Sequence, residues 1–153
     1  MQGAISEALL EKELHGLLEM KTKEPHHGVI VPLGDGTWAM TQKGDDALPD
    51  TIEVVDDKGA VTSTVECADL HGETVVNNTL AFGCSDSIVI IRDGKPTVVA
   101  NPDASGERVG AMVADKKGEI FVGDWSADFQ VTAPWVKGRS AALTWPATPA
   151  RWR

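Results

Sequence analysis

The chain lacks the long apolar run that a membrane-spanning helix needs. No segment of its 153 residues approaches about 20 consecutive apolar residues. Residues 1–10 also lack the basic-then-apolar pattern of a secretion signal, because Glu7 interrupts the apolar positions. We therefore expect no membrane insertion, and we expect either a cytosolic protein or one whose true N-terminus lies upstream of this chain.

Basic residues are too few for a protein that binds nucleic acid. The formal net charge is −9, with 14 Lys and Arg against 23 Asp and Glu. All the acidic residues lie within residues 1–128, and residues 129–153 have none. Because phosphate binding needs Lys and Arg to replace counterions, neither nucleic acid nor an anionic membrane is expected as a partner. The acidic body is compatible with cations, although most such carboxylates simply face solvent.

The motifs of several enzyme classes are also missing. The sequence has no Gly-rich phosphate loop, no GxSxG elbow and no HExxH helix. Cys67 and Cys84 lack the CxxC spacing typical of zinc sites. Three alternatives remain for this pair: a disulfide across a hairpin in an oxidising compartment, two thiolate ligands to a metal, or two unpaired buried thiols.

What the chain does contain is a repeat of short strands headed by histidine. His27-Gly28 precedes one strand–turn–strand unit, and His71-Gly72 precedes the next. The second strands of three successive units align as residues 37–41, 79–83 and 119–123. A period of roughly 40–45 residues is typical of β-propeller blades. The sequence therefore predicts an all-β fold, a partial β-propeller of about two to three four-stranded antiparallel blades.

The composition divides the chain into three segments. Residues 1–23 contain a short N-terminal helix over residues 4–14, predicted from strong helix formers, and an edge strand over residues 18–22. Residues 24–128 form the blades. Residues 129–153 show no alternation, and we expect an irregular tail there. Because propellers close with about four to eight blades, we expect this chain to be part of a longer propeller.

The two histidine-headed units predict a metal site. Residues at one repeat position lie at equivalent places around a propeller axis, so His27 and His71 should converge. Neutral imidazole is the commonest metal ligand, and zinc takes four nitrogen, oxygen or sulfur donors. His26 immediately precedes His27, and Glu73 lies two residues after His71. Both are further candidate ligands. The alternative is that the histidines cap loops at the blade entrances.

The third unit differs at the corresponding place. Arg108 stands near the position that histidine takes in the first two units, and Asp124 ends the second strand of the unit. Asp124 is a candidate oxygen ligand. Arg108 would repel a cation and is expected to bond a carboxylate instead.

Several segments resemble bacterial periplasmic zinc metallochaperones of the β-propeller type. The resemblance extends over about residues 24–126 and is carried by residues 25–33, 66–73, 81–86, 106–110 and 122–124. Its most specific parts are Leu70-His71-Gly72-Glu73 and Gly83-Cys84.

The resemblance implies a function and a set of site residues. This family passes zinc to the solute-binding protein of an ABC-type importer, which implies Zn²⁺ as cargo and a periplasmic or secreted location. It also implies that His27 and His71 are ligands and that Cys67 and Cys84 are paired. On this hypothesis the protein is not an enzyme. The alternatives are a metal-dependent, lactonase-like hydrolase with metal-activated water, or a metal-free interaction propeller.

Overall fold

The computed structural model describes residues 5–9, 17–45, 48–101, 108–126, 139–144 and 151–152. In this part of the chain every regular element is a β-strand. It contains no helix long and apolar enough to cross a membrane.

The strands form one hairpin followed by three four-stranded antiparallel meanders. The hairpin comprises β1 (Ile5–Leu9) and β2 (Leu17–Lys21). Blade 1 comprises β3 (Ile30–Pro32), β4 (Trp38–Lys43), β5 (Pro49–Val55) and β6 (Val61–Glu66). Blade 2 comprises β7 (Glu73–Val76), β8 (Thr79–Gly83), β9 (Ser87–Arg92) and β10 (Lys95–Ala100). Blade 3 comprises β11 (Arg108–Ala114), β12 (Ile120–Ser126), β13 (Arg139–Thr144) and β14 (Arg151–Trp152).

This arrangement confirms the predicted all-β, partial-propeller fold. The three segments aligned in the sequence correspond to β4, β8 and β12, the second strand of each blade. Each blade is a sheet whose strands follow chain order, and β11 of blade 3 packs beside β7 and β8 of blade 2. The roughly regular period in the sequence is therefore the repeat of one blade.

The blades are held together by apolar side chains between their faces. One buried cluster joins blade 1 to blade 2 and includes Ile52, Val54, Leu80 and Phe82. A second joins blade 2 to blade 3 and includes Ile90, Val109 and Phe121. The described central strands of blades 1 and 2 are buried on both faces, whereas β6 and β10 at the outer edges alternate between exposed and half-buried positions. Burial on both faces explains why β8 and β9 read as continuous apolar runs.

Side-chain hydrogen bonds join the tips of the first hairpin in each blade. The Asn78 side chain accepts a bond from the Gly34 amide (3.0 Å), and the Asn77 side chain donates to the Lys116 carbonyl (2.9 Å). Asn77 and Asn78 both have positive φ (46° and 59°), as the tight hairpin turn between β7 and β8 requires. These tips lie at one end of the blades, so the starts of β3, β7 and β11 lie at the other end.

The N-terminal helix predicted over residues 4–14 is wrong in the part that the structure describes. Ile5–Leu9 form β1, which pairs antiparallel with β2 from Ile5↔Lys21 to Leu9↔Leu17. Helix propensity is a weak preference, and a short isolated helix is marginal in water, so a strand partner overrides it. Residues 10–16 lie outside the described residues. The edge strand predicted over residues 18–22 is present as β2.

The hairpin is attached to blade 1 by apolar and polar contacts. Met20 on β2 packs in a buried cluster with Trp38, Met40 and Val55 of blade 1. Nearby, the buried carboxylate of Glu53 accepts hydrogen bonds from Lys23 Nζ (3.0 Å) and from the Gln42 amide (2.7 Å). A buried carboxylate is costly without partners, so these bonds hold the segment after β2 against blade 1.

The irregular tail expected over residues 129–153 also needs correction. Arg139–Thr144 form β13, which pairs with β12 from Ile120↔Thr144 to Trp125↔Arg139, and β14 pairs with β13. Without β13, the backbone N–H and C=O groups along one edge of β12 would lack hydrogen-bond partners. Backbone groups can pair in this way even where apolar and polar side chains do not alternate along the strand. Residues 127–138, 145–150 and 153 lie outside the described residues.

Blade 2 approaches blade 3 so closely at one point that only glycine fits. Gly72 has φ +89°, and a Cβ placed on it would lie 1.7 Å from the Gly110 carbonyl oxygen. We expect Gly72→Ala to lower the free energy of unfolding by about 2–5 kcal/mol, because positive φ and a backbone clash both oppose the methyl group. Gly36→Ala is the matched control: φ is +85° there, but no atom lies within 4 Å of the new Cβ. Its expected cost is about 1–2 kcal/mol. Equal losses for the two variants in chemical denaturation would contradict the close approach.

Candidate metal centre

The loop that holds His27 is fixed by one buried threonine. The Thr41 hydroxyl accepts a hydrogen bond from the Val29 amide (2.9 Å) and lies 3.1 Å from His26 Nε2. The backbone passes so near this hydroxyl that a Cβ on Gly28 would lie 2.2 Å from it. A larger residue after His27 would displace the Thr41 hydroxyl or the His26 ring. The side chain of His27 itself is exposed, just before blade 1 begins.

The loop that holds His71 is an extension of the blade 2 ladder. The His71 amide donates to the Gly83 carbonyl (3.0 Å), and the Gly83 amide donates to the Gly72 carbonyl (3.0 Å). Just before it, the Leu70 amide donates to the Pro49 carbonyl of blade 1 (2.8 Å). His71 is thus held between blades 1 and 2, and it is half-buried.

A disulfide joins the two ends of this extension. Cys67 and Cys84 are bonded, with their Cα atoms 5.0 Å apart, inside the ordinary range of about 4.4–6.8 Å. Both residues are fully buried in the cluster between blades 1 and 2. The pairing implied by the family resemblance is therefore present, and it excludes both alternatives of free or metal-ligating thiols.

The two histidines open onto the same cavity. It has a volume of about 230 Å³ and lies at the end of the blades where β3 and β7 begin. Its lining consists of His27, Gly28, Val29, Pro49, Leu70, His71, Gly72 and Glu73. The structure therefore brings His27, His71 and Glu73 to one cavity, as equivalent repeat positions would require.

Some charges around the cavity lower the pKa of His71 and others raise it. Burial lowers the pKa of His71 from the ordinary value, and the positive charges of Arg108 and His27 lower it further. The carboxylates of Glu73 and Asp124 act in the opposite direction. The net effect is a lowered pKa, which keeps the imidazole neutral and able to donate a lone pair to a metal at lower pH.

His26 occupies a different position from the other candidate ligands. Its Nδ1 lies 3.0 Å from the Glu24 carbonyl oxygen and its Nε2 lies 3.1 Å from the Thr41 hydroxyl. It is not among the residues that line the cavity. His26 thus supports the loop that holds His27. This role corresponds to the alternative hypothesis, in which a histidine caps a loop at a blade entrance.

Arg108 and Asp124 lie on the blade 3 side of the site. A terminal guanidinium nitrogen of Arg108 donates to the Asp69 carbonyl oxygen, in the loop just before His71. Asp124 Oδ1 accepts from the Gly110 amide (2.9 Å), at the point where the register of β11 and β12 shifts. The charge of Asp124 therefore lies near the site while one of its oxygens stabilises a β-bulge.

No group of three or more His, Cys, Asp or Glu side chains within the described ranges is arranged to hold a metal ion. His27, His71 and Glu73 nevertheless all line the one cavity. Sequence reasoning missed the anchoring role of Thr41. The signal for it was the repeated His-Gly pair, since a glycine after each histidine indicates a close backbone approach.

Comparisons with known proteins support the fold. AztD from Citrobacter koseri is 22% identical to this chain with a TM-score of 0.65, and the match covers 90% of this chain and 36% of that one. The apo form of AztD from the same organism gives 22% identity, a TM-score of 0.66 and coverages of 90% and 37%. This chain therefore shares the fold of part of AztD and spans little more than a third of its length. No protein-family model matches the chain, and no curated protein matches it either.

The disulfide generates a prediction about stability. It closes a loop with a sequence separation of 17 residues. We expect a Cys67→Ala/Cys84→Ala double variant to lose about 3 kcal/mol of unfolding free energy, because the cross-link restricts the unfolded chain. Chemical denaturation of both proteins, with and without a reductant, measures this loss. A reductant that leaves the stability of the wild-type chain unchanged would contradict it.

The environment of His71 generates a prediction about pH. We expect His71 to titrate below the ordinary histidine pKa of about 6.5, chiefly because it is partly buried. Its contribution to stability is then fully present above about 6.5 and is lost as the pH falls through the lower folded-state pKa. An NMR titration of the imidazole resonances, with His71→Gln to assign the signal, checks this. A pKa at or above 6.5 would contradict the electrostatic description.

Proposed function

We propose that this chain is part of a zinc-binding periplasmic metallochaperone, which passes zinc to the solute-binding protein of an ABC-type importer. The observation that carries the proposal is the placement of His27 and His71 on one cavity. The two residues are 44 positions apart and belong to different blades, so their meeting is a consequence of the repeat. A histidine that merely capped a loop would not need to line the same cavity as its counterpart.

The number of donors suits transfer of a metal. Zinc favours four ligands, and a site with an open position can exchange what it holds. His27 and His71 supply two nitrogens, and the negative charge of Glu73 on the same wall favours a cation. An acceptor protein can then complete the coordination sphere with its own side chains and compete for the ion. Such transfer involves no covalent chemistry, so the proposed role is not enzymatic.

The disulfide and the net charge support the location and the cargo. Disulfides persist in oxidising compartments, and the periplasm is one of them. The net charge of −9 favours cations over nucleic acid or anionic membranes. The resemblance of residues 24–126 to periplasmic zinc metallochaperones implies zinc as the cation and the solute-binding protein as the acceptor.

Substitution of the two histidines tests the proposal. We expect His27→Ala and His71→Ala each to weaken zinc binding at least about tenfold, since even residues that only orient a ligand contribute that much. His26→Gln is the matched control, because glutamine removes an imidazole outside the cavity while keeping hydrogen-bonding groups. Binding is measured by competition with a chromophoric chelator, at pH 7.5 and below pH 6. At the lower pH, protons should compete with zinc for the imidazoles.

The outcomes separate the alternatives. Unchanged affinity in both alanine variants would overturn the shared site. Absence of zinc binding by the wild-type chain would favour the metal-free interaction propeller. Zinc-dependent hydrolysis of lactones or esters by the wild-type chain would favour the hydrolase. Transfer of bound zinc to a purified solute-binding protein, without any hydrolysis, would support the proposal.

A further inference from the structure

Arg108 lies near the blade 3 position that corresponds to His27 and His71. It is the first residue of β11, whereas those histidines stand a few residues before β3 and β7. Its side chain reaches across to blade 2 and donates to the Asp69 carbonyl oxygen, two residues before His71. Three blades therefore direct two imidazoles and one guanidinium toward the same end of the fold.

The position of this guanidinium is fixed. The start of β11 is held against blade 2, because the Gly110 carbonyl lies where a side chain on Gly72 would otherwise stand. The Nε atom of Arg108 is buried, and the bond to Asp69 holds the far end of the side chain. Asp69 itself has φ +48°, which turns its peptide out of extended geometry within the loop. The positive charge therefore stays beside His71.

This charge acts on whatever cation His71 holds. Arg108 and His71 interact electrostatically. A divalent cation held by His71 is therefore repelled by the guanidinium, and more strongly than a singly charged ion would be. Nearby carboxylates offset part of the effect: Asp69 and Asp124 interact electrostatically with Arg108. Glu73 and Asp124 do so with His71.

We propose that Arg108 sets the metal affinity of the His27–His71 site, by placing a permanent positive charge where a third ligand would otherwise be expected. The inference rests on the proposed function and adds a device for release to it. The ion is repelled only while it is bound, so the charge of Arg108 lowers the affinity of the site for metal. A chaperone that must give up its ion to an acceptor benefits from such a charge.

Charge variants test the inference. Zinc affinity is measured by chelator competition for the wild-type chain, Arg108→Met, Arg108→Lys, Asp124→Asn and Lys95→Met. We expect Arg108→Met to bind zinc about fivefold more tightly or better, and Arg108→Lys to stay near wild type because it keeps the charge. Asp124→Asn should bind more weakly while its amide oxygen still accepts from Gly110. Lys95→Met removes an exposed positive charge on β10 and should change nothing.

Each outcome decides between the two proposals. Zinc binding by the wild-type chain with equal or weaker binding by Arg108→Met would overturn this inference and leave the proposed function standing. An equal gain in Arg108→Met and Arg108→Lys would overturn it too, since the effect would then come from packing. Binding by Arg108→Met alone would support the inference and overturn the function as stated. Absence of binding in every protein would overturn both. If Arg108→Met does not fold by near-UV circular dichroism, Arg108→Gln takes its place in the same comparison.

Discussion

The face-to-face packing of neighbouring blades is the constraint on which the rest of the structure depends. Apolar clusters fill the space between blades 1 and 2 and between blades 2 and 3, and the central strands are buried on both faces as a result. This packing determines how closely the strand starts approach one another. At the tightest point Gly72 meets Gly110 without room for a side chain. His71 lies next to that contact, so the interface holds the loop of the candidate metal centre in place.

The centre combines features that favour binding with features that favour release. Two imidazoles with a carboxylate on one cavity wall suit zinc, and the lowered pKa of His71 keeps its lone pair available. Two features oppose binding. The histidines supply only two of the four donors that zinc favours, and Arg108 places a positive charge beside them. Both sets of features arise from one geometric fact, namely that each blade presents the start of its first strand at the same end. The proposed transfer of zinc depends on this balance.

Much of the fold could be predicted because the turns are local. Asn77-Asn78, Asp93-Gly94 and Asp115 to Gly118 specify tight turns from their own chemistry, and the strands between them follow. The errors occurred where a partner decides the structure. Ile5–Leu9 carry helix formers but pair with β2, and Arg139–Thr144 lack alternation but pair with β12. Hydrogen bonding to a neighbouring strand outweighs the local preference of each segment.

The sequence by itself determined the blade repeat and the histidines at its head, because these depend on residue type and spacing. The family resemblance implied the bond between Cys67 and Cys84, and the structure shows it. The sequence could not assign distinct roles to His26 and His27, which are adjacent and chemically identical. Only the tertiary structure decided that Thr41 engages His26 and leaves His27 facing the cavity. It likewise decided that Arg108 reaches Asp69 beside His71. Such contacts join residues distant in the chain, and the packing of one blade against the next fixes their distances.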